Sequence, residues 1–320
     1  MKNPESCWLV TDGRIGIENE ALGLAEALGV SHELKRVAPR APWRWLPPRI
    51  VPCPLASLGP AADAFRPPWP DLLIACGRQS VAIAAEIKRR AGNATFAVFL
   101  QNPRVPTTWF DLVVPPMHDH VSGPNVIETR GAIHRVTPQK IAAGAERFRG
   151  AFAHLKRPLV AVMIGGASKE YKFDATDAER IGQDLARFAE TNDASLVVTM
   201  SRRTGEANAA IIRKALEGPR SWIWDGQGEN PYFGMLGLAD AMVATVDSIA
   251  MTSEAASTGK PVYVMGLRGE RRKFVEFHSR LQADGVTRPF DGSLATWTYP
   301  PLDDTGLVAR AIRARLGAAP

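Results

Sequence analysis

The sequence predicts an α/β protein built from two Rossmann-like domains with parallel sheets. Three observations carry this. Short, continuous apolar runs alternate with helical patterns along all 320 residues. Runs such as "DLLIAC" and "LVAVMIG" lack polar alternation, which suits strands covered by helices on both faces. The length is about twice that of a ~150-residue domain.

The elements follow in order. "CWLVT" reads as a strand and 17–28 as a helix. "HELKRV" is a weaker strand. "DLLIAC" is a buried strand, followed by a helix over 79–90. "TFAVFL" and "FDLVV" are two more strands. The second half repeats the theme: strand "LVAVMIG", helix 175–191, strand "SLVVTM", helix 204–217, strand "SWIW", helix 231–239, strand "AMVAT", helix 249–258, strand "VYVM", helix 271–283. Strands alternating with helices of this length make βαβ units. The join lies in 134–157, where Thr137 can cap a helix with Pro138 at its first position. The expected division is 1–150, 151–300 and a terminal helix in 301–320.

Residues 38–70 break the pattern. They hold three tryptophans and four arginines among many prolines, too many for a regular sheet or helix. Such a segment suits either a lipid headgroup interface or a proline-rich linker folded over the core.

Composition narrows the class. Hydrophobic residues make up 45% and charged residues 22%, ordinary globular usage. No apolar run approaches the ~18 residues of a spanning helix. "MKNPESCWLV" lacks the apolar core of a signal peptide. Cys7, Cys53 and Cys76 show no metal spacing or disulfide framework. A cytoplasmic protein is expected. The net charge of +6 suits acidic lipid surfaces, phosphorylated ligands or nucleic acid; no nucleic-acid motif occurs, and no nucleic-acid partner is expected.

Ligands of open α/β sheets bind at the carboxyl ends of strands, so the residues after each strand are the candidates. After "CWLVT", Gly13 and Gly16 flank Arg14 at a strand-to-helix turn, where glycine permits close approach and a helix start attracts anions. After "LVAVMIG", Gly165, Gly166, Ser168 and Lys169 supply a flexible turn, a hydroxyl and a cation, the parts of a phosphate-cradling loop. After "SLVVTM", Ser201, Arg202 and Arg203 precede a helix start, where cations are disfavoured unless an anion shares the space. After "SWIW", "DGQGEN" opens a glycine-rich loop, and Asn230 caps the next helix ahead of Pro231. After "AMVAT" comes "DSIAMTSEAASTGKPV". Asp247 or Ser248 caps its helix, whose N–H groups and hydroxyls suit a diphosphate. Ser253 is a further hydroxyl, and Glu254 can accept two hydrogen bonds from vicinal ribose hydroxyls. Gly259 and Pro261 end the helix.

The block "NPYFGMLGLADAMVATVDSIAMTSEAASTGKPVYVM", with "TDGRIGIENEALGLAEALG", "QNPR", "PPMHDH" and "SRRTG", resembles the mitochondrial fission family. The resemblance covers roughly residues 7–280 and is most specific at 247–262. That family resembles glycosyltransferases of the GT-B fold, including the one acting on a peptidoglycan lipid precursor. The resemblance implies a GT-B-like architecture in which two parallel-sheet domains face a central cleft. It implies a donor nucleotide on the second domain, Glu254 on the ribose, and a final helix that returns to the first domain. Where the lipid-precursor transferase has a His in its first glycine loop, this chain has "DGRIGIEN". Asp12, His118 and Asp119 are therefore the candidate bases.

The function expected is metal-independent transfer from a nucleotide-sugar, a UDP-sugar as co-substrate, to a lipid-linked or membrane-associated acceptor. The expected place is the cytoplasmic face of a membrane. No Asp-x-Asp motif occurs, and neither a metal nor another cofactor is expected. The alternatives are a non-catalytic adaptor of the fission type and a nucleotide-sugar epimerase. The sequence does not indicate an oligomeric state.

Overall fold

The structure is a computed structural model that describes residues 4–269 and 271–317. The chain divides into two units: one runs to Arg135 and resumes at Asp303, and the other is Val136–Leu302.

The first unit carries β1 (Cys7–Thr11), α1 (Ile15–Leu28), β2 (Glu33–Arg36), β3 (Leu72–Cys76), α2 (Val81–Ala91), β4 (Phe96–Leu100) and β5 (Leu112–Val114). The strands lie in the order β2-β1-β3-β4-β5 and pair in parallel. Apart from edge strand β2 and Phe96 they are buried throughout, which explains the absence of polar alternation. One face packs Leu24, Leu72, Ile74 and Val98. The other packs Trp8, Leu73, Ile87 and Phe99.

Residues 38–70 fold over the second of these faces. Trp69 meets Trp8 edge-on at 5.9 Å, and short 3₁₀ turns form at Trp43–Trp45, Pro48–Ile50 and Leu55–Ser57. The Arg78 guanidinium donates to the carbonyls of Arg44, Trp45 and Leu46, fastening this loop beside β3. Trp45 and Ile50 are nevertheless left 62% and 59% exposed, with Arg44 over the Trp45 ring at 4.7 Å.

The second unit carries α3 (Pro138–Phe152), β6 (Leu159–Ile164), α4 (Ala175–Thr191), β7 (Ser195–Met200), α5 (Glu206–Ala215), β8 (Ser221–Ile223), α6 (Tyr232–Leu238), β9 (Ala241–Thr245), α7 (Ile249–Ala256), β10 (Val262–Met265), α8 (Arg272–Ala283) and β11 (Thr287–Pro289). Its strands run in the order β11-β10-β9-β6-β7-β8, all parallel. β11 has no apolar run and was not foreseen. It reads Thr-Arg-Pro and pairs along the edge of β10.

Helix α3 was expected in the first domain, with a boundary at 150. It belongs to the second unit because it packs on α6 through glycines. A Cβ at Gly144 would lie 2.7 Å from the Gly234 nitrogen, and one at Gly234 would lie 2.8 Å from Phe148. Only bare backbones approach so closely. Thr137 caps α3 as its sequence indicates, accepting from Lys140 N at 3.2 Å.

The last helix, α9 (Asp304–Leu316), belongs to the first unit. Val308, Ile312 and Leu316 join the core against Leu24. Asp304 accepts from the backbone nitrogens of Arg130 and Gly131 at 3.2 and 2.8 Å. Arg313 donates to the Ala27 carbonyl, which ends α1.

Candidate functional site

The second sheet reverses its winding between β6 and β9, the place where open α/β sheets leave a crevice. Here that crevice is spanned by protein. Asp247, after β9, has no side-chain exposure. It accepts from Gly166 N at 3.0 Å and from Thr245 Oγ1 at 2.6 Å. Arg203, after β7, pairs with it at 2.7 Å and also donates to the Gly166 carbonyl at 3.1 Å. Thr245 Oγ1 in turn accepts from Gly165 N at 2.8 Å, and Thr204 donates to the Gly165 carbonyl.

This network changes the role of four expected ligand residues. A Cβ at Gly165 would lie 2.2 Å from Asp247, and one at Gly166 would lie 2.2 Å from the Arg203 backbone. The Gly-Gly pair is therefore required by internal packing. Asp247 is buried and its acceptor positions face protein, so it neither caps α7 nor reaches a ligand. Arg203 finds its anion in Asp247.

Chemistry open to a ligand lies further out on the same edge. Ser248 caps α7, accepting from Met251 N at 3.2 Å. Ser253 is fully buried and donates to the Ile249 carbonyl at 2.8 Å, so it serves the helix interior. Glu254, one and a half turns into α7, is half-buried. Its carboxylate accepts from the Tyr232 hydroxyl of α6. Burial raises its pKa to about 7, against the lowering effect of that hydrogen bond. No cation pairs with it among the described residues.

Lys169 and Arg202 are exposed and make no ion pair among the described residues. They follow β6 and β7, neighbours in the sheet. Ser168 closes its own loop, accepting from Glu170 N and Tyr171 N at 3.1 Å each. Ser201 accepts from Arg203 N at 3.2 Å. Asn230 is exposed and accepts from Tyr232 N at 3.0 Å, holding the start of α6 one residue later than the sequence indicates.

Two residues not singled out from sequence support this edge. Lys260 donates to the carbonyls of Leu236, Gly237 and Ala239 at 2.7–2.9 Å, capping the end of α6. His278 on α8 donates from Nε2 to the Val246 carbonyl at 2.9 Å. Burial lowers its pKa, and its Nδ1 is buried without a partner.

In the first unit the three candidate bases are not brought together. Asp12 follows β1, whereas His118 and Asp119 form a 3₁₀ turn after β5. β3 and β4 lie between those strands, a separation of about 14 Å at ~4.8 Å per strand. Asp12 is only 4% exposed and is bound by Arg14 at 2.6 Å. Gly13, at φ 78°, lets the chain turn between them.

Among the described residues no group of three His, Cys, Asp or Glu is placed to hold a metal ion, and no helix is long and apolar enough to cross a membrane.

Comparison with known proteins gives this geometry a family. A model of the family described as mitochondrial fission ELM1 matches residues 15–316. The chain belongs to the mitochondrial fission ELM1 family. The mitochondrial fission protein ELM1 of Arabidopsis thaliana is 34% identical over 285 residues, covering 81% of this chain and 66% of its own length. The chain thus spans a little under two thirds of that ELM1 relative. Among solved structures, the UDP-GlcNAc 2-epimerase of Methanocaldococcus jannaschii aligns over 98% of this chain and 100% of its own, with TM-score 0.60 and 10% identity. MurG of Acinetobacter baumannii aligns over 99% and 96%, with TM-score 0.51 and 13% identity. At such identities the likeness is one of fold. This ELM1-family chain has the GT-B-like fold of two parallel-sheet α/β domains.

Proposed function

We propose that this chain is a nucleotide-sugar-dependent glycosyltransferase that holds a UDP-sugar on its second unit. The observation that carries the reading is Glu254. It sits at the carboxyl edge of a parallel sheet, on the helix after β9, held by a neutral hydroxyl and, among the described residues, by no cation. Even a half-buried carboxylate without a counter-ion costs stability, and such groups concentrate at functional sites. Its second oxygen suits a ribose hydroxyl, with Ser248 and the first turn of α7 toward a diphosphate. Lys169 and Arg202 are the cations that stabilise the leaving diphosphate, without a metal in the scheme.

The acceptor in this reading is lipid-linked or membrane-associated. The exposed Trp45 and Ile50, beside Arg44 and Arg49, favour contact with an acidic bilayer surface. The protein then works on the cytoplasmic face of a membrane.

The test is a thermal-shift and turnover series with UDP and UDP-GlcNAc, the latter chosen because the epimerase neighbour is named for it. A ligand bound only by the folded chain raises its stability as RT ln(1 + [L]/Kd). The expected result is a shift with UDP that Glu254→Ala removes, and UDP release that depends on an added acceptor. An epimer formed from UDP-GlcNAc without acceptor would replace transfer by epimerisation on the same fold. The second reading, a non-catalytic adaptor, is favoured by the likeness to a fission protein. No shift with any nucleotide would decide for it.

A further inference from the structure

In the second unit a second side chain already shares the carboxylate proposed to hold the ribose. Tyr232 is the first residue of α6. Its ring packs against the core that holds Met235, Leu236 and Ala255 and meets Phe233 edge-on at 6.2 Å. Its backbone nitrogen donates to Asn230 Oδ1 at 3.0 Å. Apolar packing and backbone thus fix the ring, and the hydroxyl is left to reach Glu254 Oε2 on α7. Packing alone does not call for that hydroxyl, because Phe233 serves the same core without one. A polar group taken out of water costs free energy unless its hydrogen bonds are used.

The direction of the Tyr232–Glu254 hydrogen bond decides what the pair can bind. A Tyr hydroxyl has one proton to donate and can also accept. Burial, and then the charge of Glu254, push the Tyr232 pKa well above its ordinary value, so the hydroxyl keeps its proton. That proton is spent on Glu254 Oε2. What remains is acceptor only: the Tyr232 oxygen and Glu254 Oε1. Among the described residues no group donates to either. Two neighbouring acceptors repel a phosphate oxygen or a carbonyl, and match two neighbouring donors, the pattern of a vicinal diol. Because Tyr232 occupies Oε2, the carboxylate does not offer both of its oxygens equally to that diol. A hydroxyl that donates to a carboxylate is polarised into a better acceptor, so the Tyr232 oxygen can serve as the second.

We infer that Tyr232 is a specificity-determining residue of the nucleotide site: its oxygen accepts one ribose hydroxyl while Glu254 Oε1 accepts the other, so that the pair selects ribonucleotides over deoxyribonucleotides. The inference rests on the reading of Glu254 as the ribose carboxylate and stays within the second unit. It changes the contact expected from sequence, in which Glu254 alone takes both hydroxyls. A nucleotide lacking either hydroxyl leaves one of the two acceptors without its donor, and this is the source of the selection.

The experiment is a calorimetric titration of the full chain at pH 8, where Glu254 is ionised, with UDP, 2′-deoxy-UDP and 3′-deoxy-UDP. Wild type is expected to bind each deoxy analogue at least ~5-fold more weakly than UDP, the scale of one hydrogen bond. A wild type that binds either analogue as tightly as UDP overturns the inference, and this arm needs no variant. The second arm uses Tyr232→Phe, which keeps the ring and removes one oxygen; its melting curve checks the fold. The variant is expected to lose its selectivity against one of the two analogues and to keep it against the other. If Tyr232 only props Glu254, the variant instead binds all three ligands more weakly by one common factor and both selectivities survive, which overturns the Tyr232 assignment while leaving the UDP site standing. A wild type that binds no UDP overturns the ribose reading of Glu254 and the role of Tyr232 with it.

Discussion

The two sheets treat their switch points with the same device and reach different results. In each, a buried Asp faces a glycine across the reversal and pairs with an Arg. In the second unit a Cβ at Gly165 would come within 2.2 Å of Asp247, and in the first a Cβ at Gly77 would come within 2.9 Å of Asp12. Asp247 reaches for Arg203 on another loop and is sealed. Asp12 takes its near neighbour Arg14, which stays 66% exposed. In the second unit the lock joins three loops and leaves Glu254 on α7 outside it. In the first the lock is local, and Glu20 makes no ion pair among the described residues. Each sheet edge thus keeps one carboxylate with a pKa near 7, held by a neutral donor: Tyr232 for Glu254 and Gln101 for Glu20. A glycine-rich turn is consequently not a reliable sign of a phosphate; here it marks where an Asp crosses a sheet reversal.

The largest expected effect breaks the comparison at the lock. Asp247→Ala leaves the buried Gly166 N–H and Thr245 hydroxyl without their acceptor, and should cost about 3 kcal/mol, the scale for two buried donors left unpaired. Asp12→Ala should cost about 1 kcal/mol or less, because its Arg is exposed. Denaturant titration of both variants checks this, and equal losses would remove the distinction.

Next comes pH. Glu20 and Glu254 each rise from an ordinary 4.5 to about 7 in the folded chain. Between those values the folded state binds more protons than the unfolded state, so stability falls as pH rises from 4.5 to 7. Each group accounts for a loss of about 3 kcal/mol at ~1.4 kcal/mol per unit. Glu20→Gln and Glu254→Gln should therefore melt higher than wild type at pH 8 and match it at pH 4. A variant that destabilises equally at both pH values would mean its carboxylate is structurally required.

Lys260→Met sharpens the picture on a smaller scale. It leaves three carbonyls at the end of α6 without their donor, and a cost of about 1–3 kcal/mol is expected from the melting curve. Replacing both Trp45 and Ile50 by Ala should leave melting nearly unchanged, since both are exposed. It should lower recovery of the protein with anionic vesicles in flotation; unchanged recovery would remove this loop from membrane contact.

How much was legible in the sequence follows from the distances involved. The parallel strands were visible because burial on both faces removes polar alternation, and α4 and β7 fall at their expected limits. Ser248 as a helix cap and Glu254 as an isolated carboxylate were visible because both signals are local. The rest was not local. Arg203 and Asp247 meet from loops after different strands, so each read as waiting for a ligand. Glu20 was not singled out, because its partners Cys76 and Gln101 lie 56 and 81 residues away. The α3 boundary was misplaced because the glycines that bring α3 onto α6 are on separate elements.

The central claim is that Glu254 is the ribose-binding carboxylate of a UDP site on the second unit. Calorimetric titration of UDP into wild type and Glu254→Gln at pH 6 and pH 8 tests it most directly. The account predicts that wild type binds more tightly at pH 8, where Glu254 is ionised. Glu254→Gln should lose about 1.5–3 kcal/mol of binding at pH 8 and much of the pH dependence. Equal UDP affinity of the two proteins at pH 8 would contradict it.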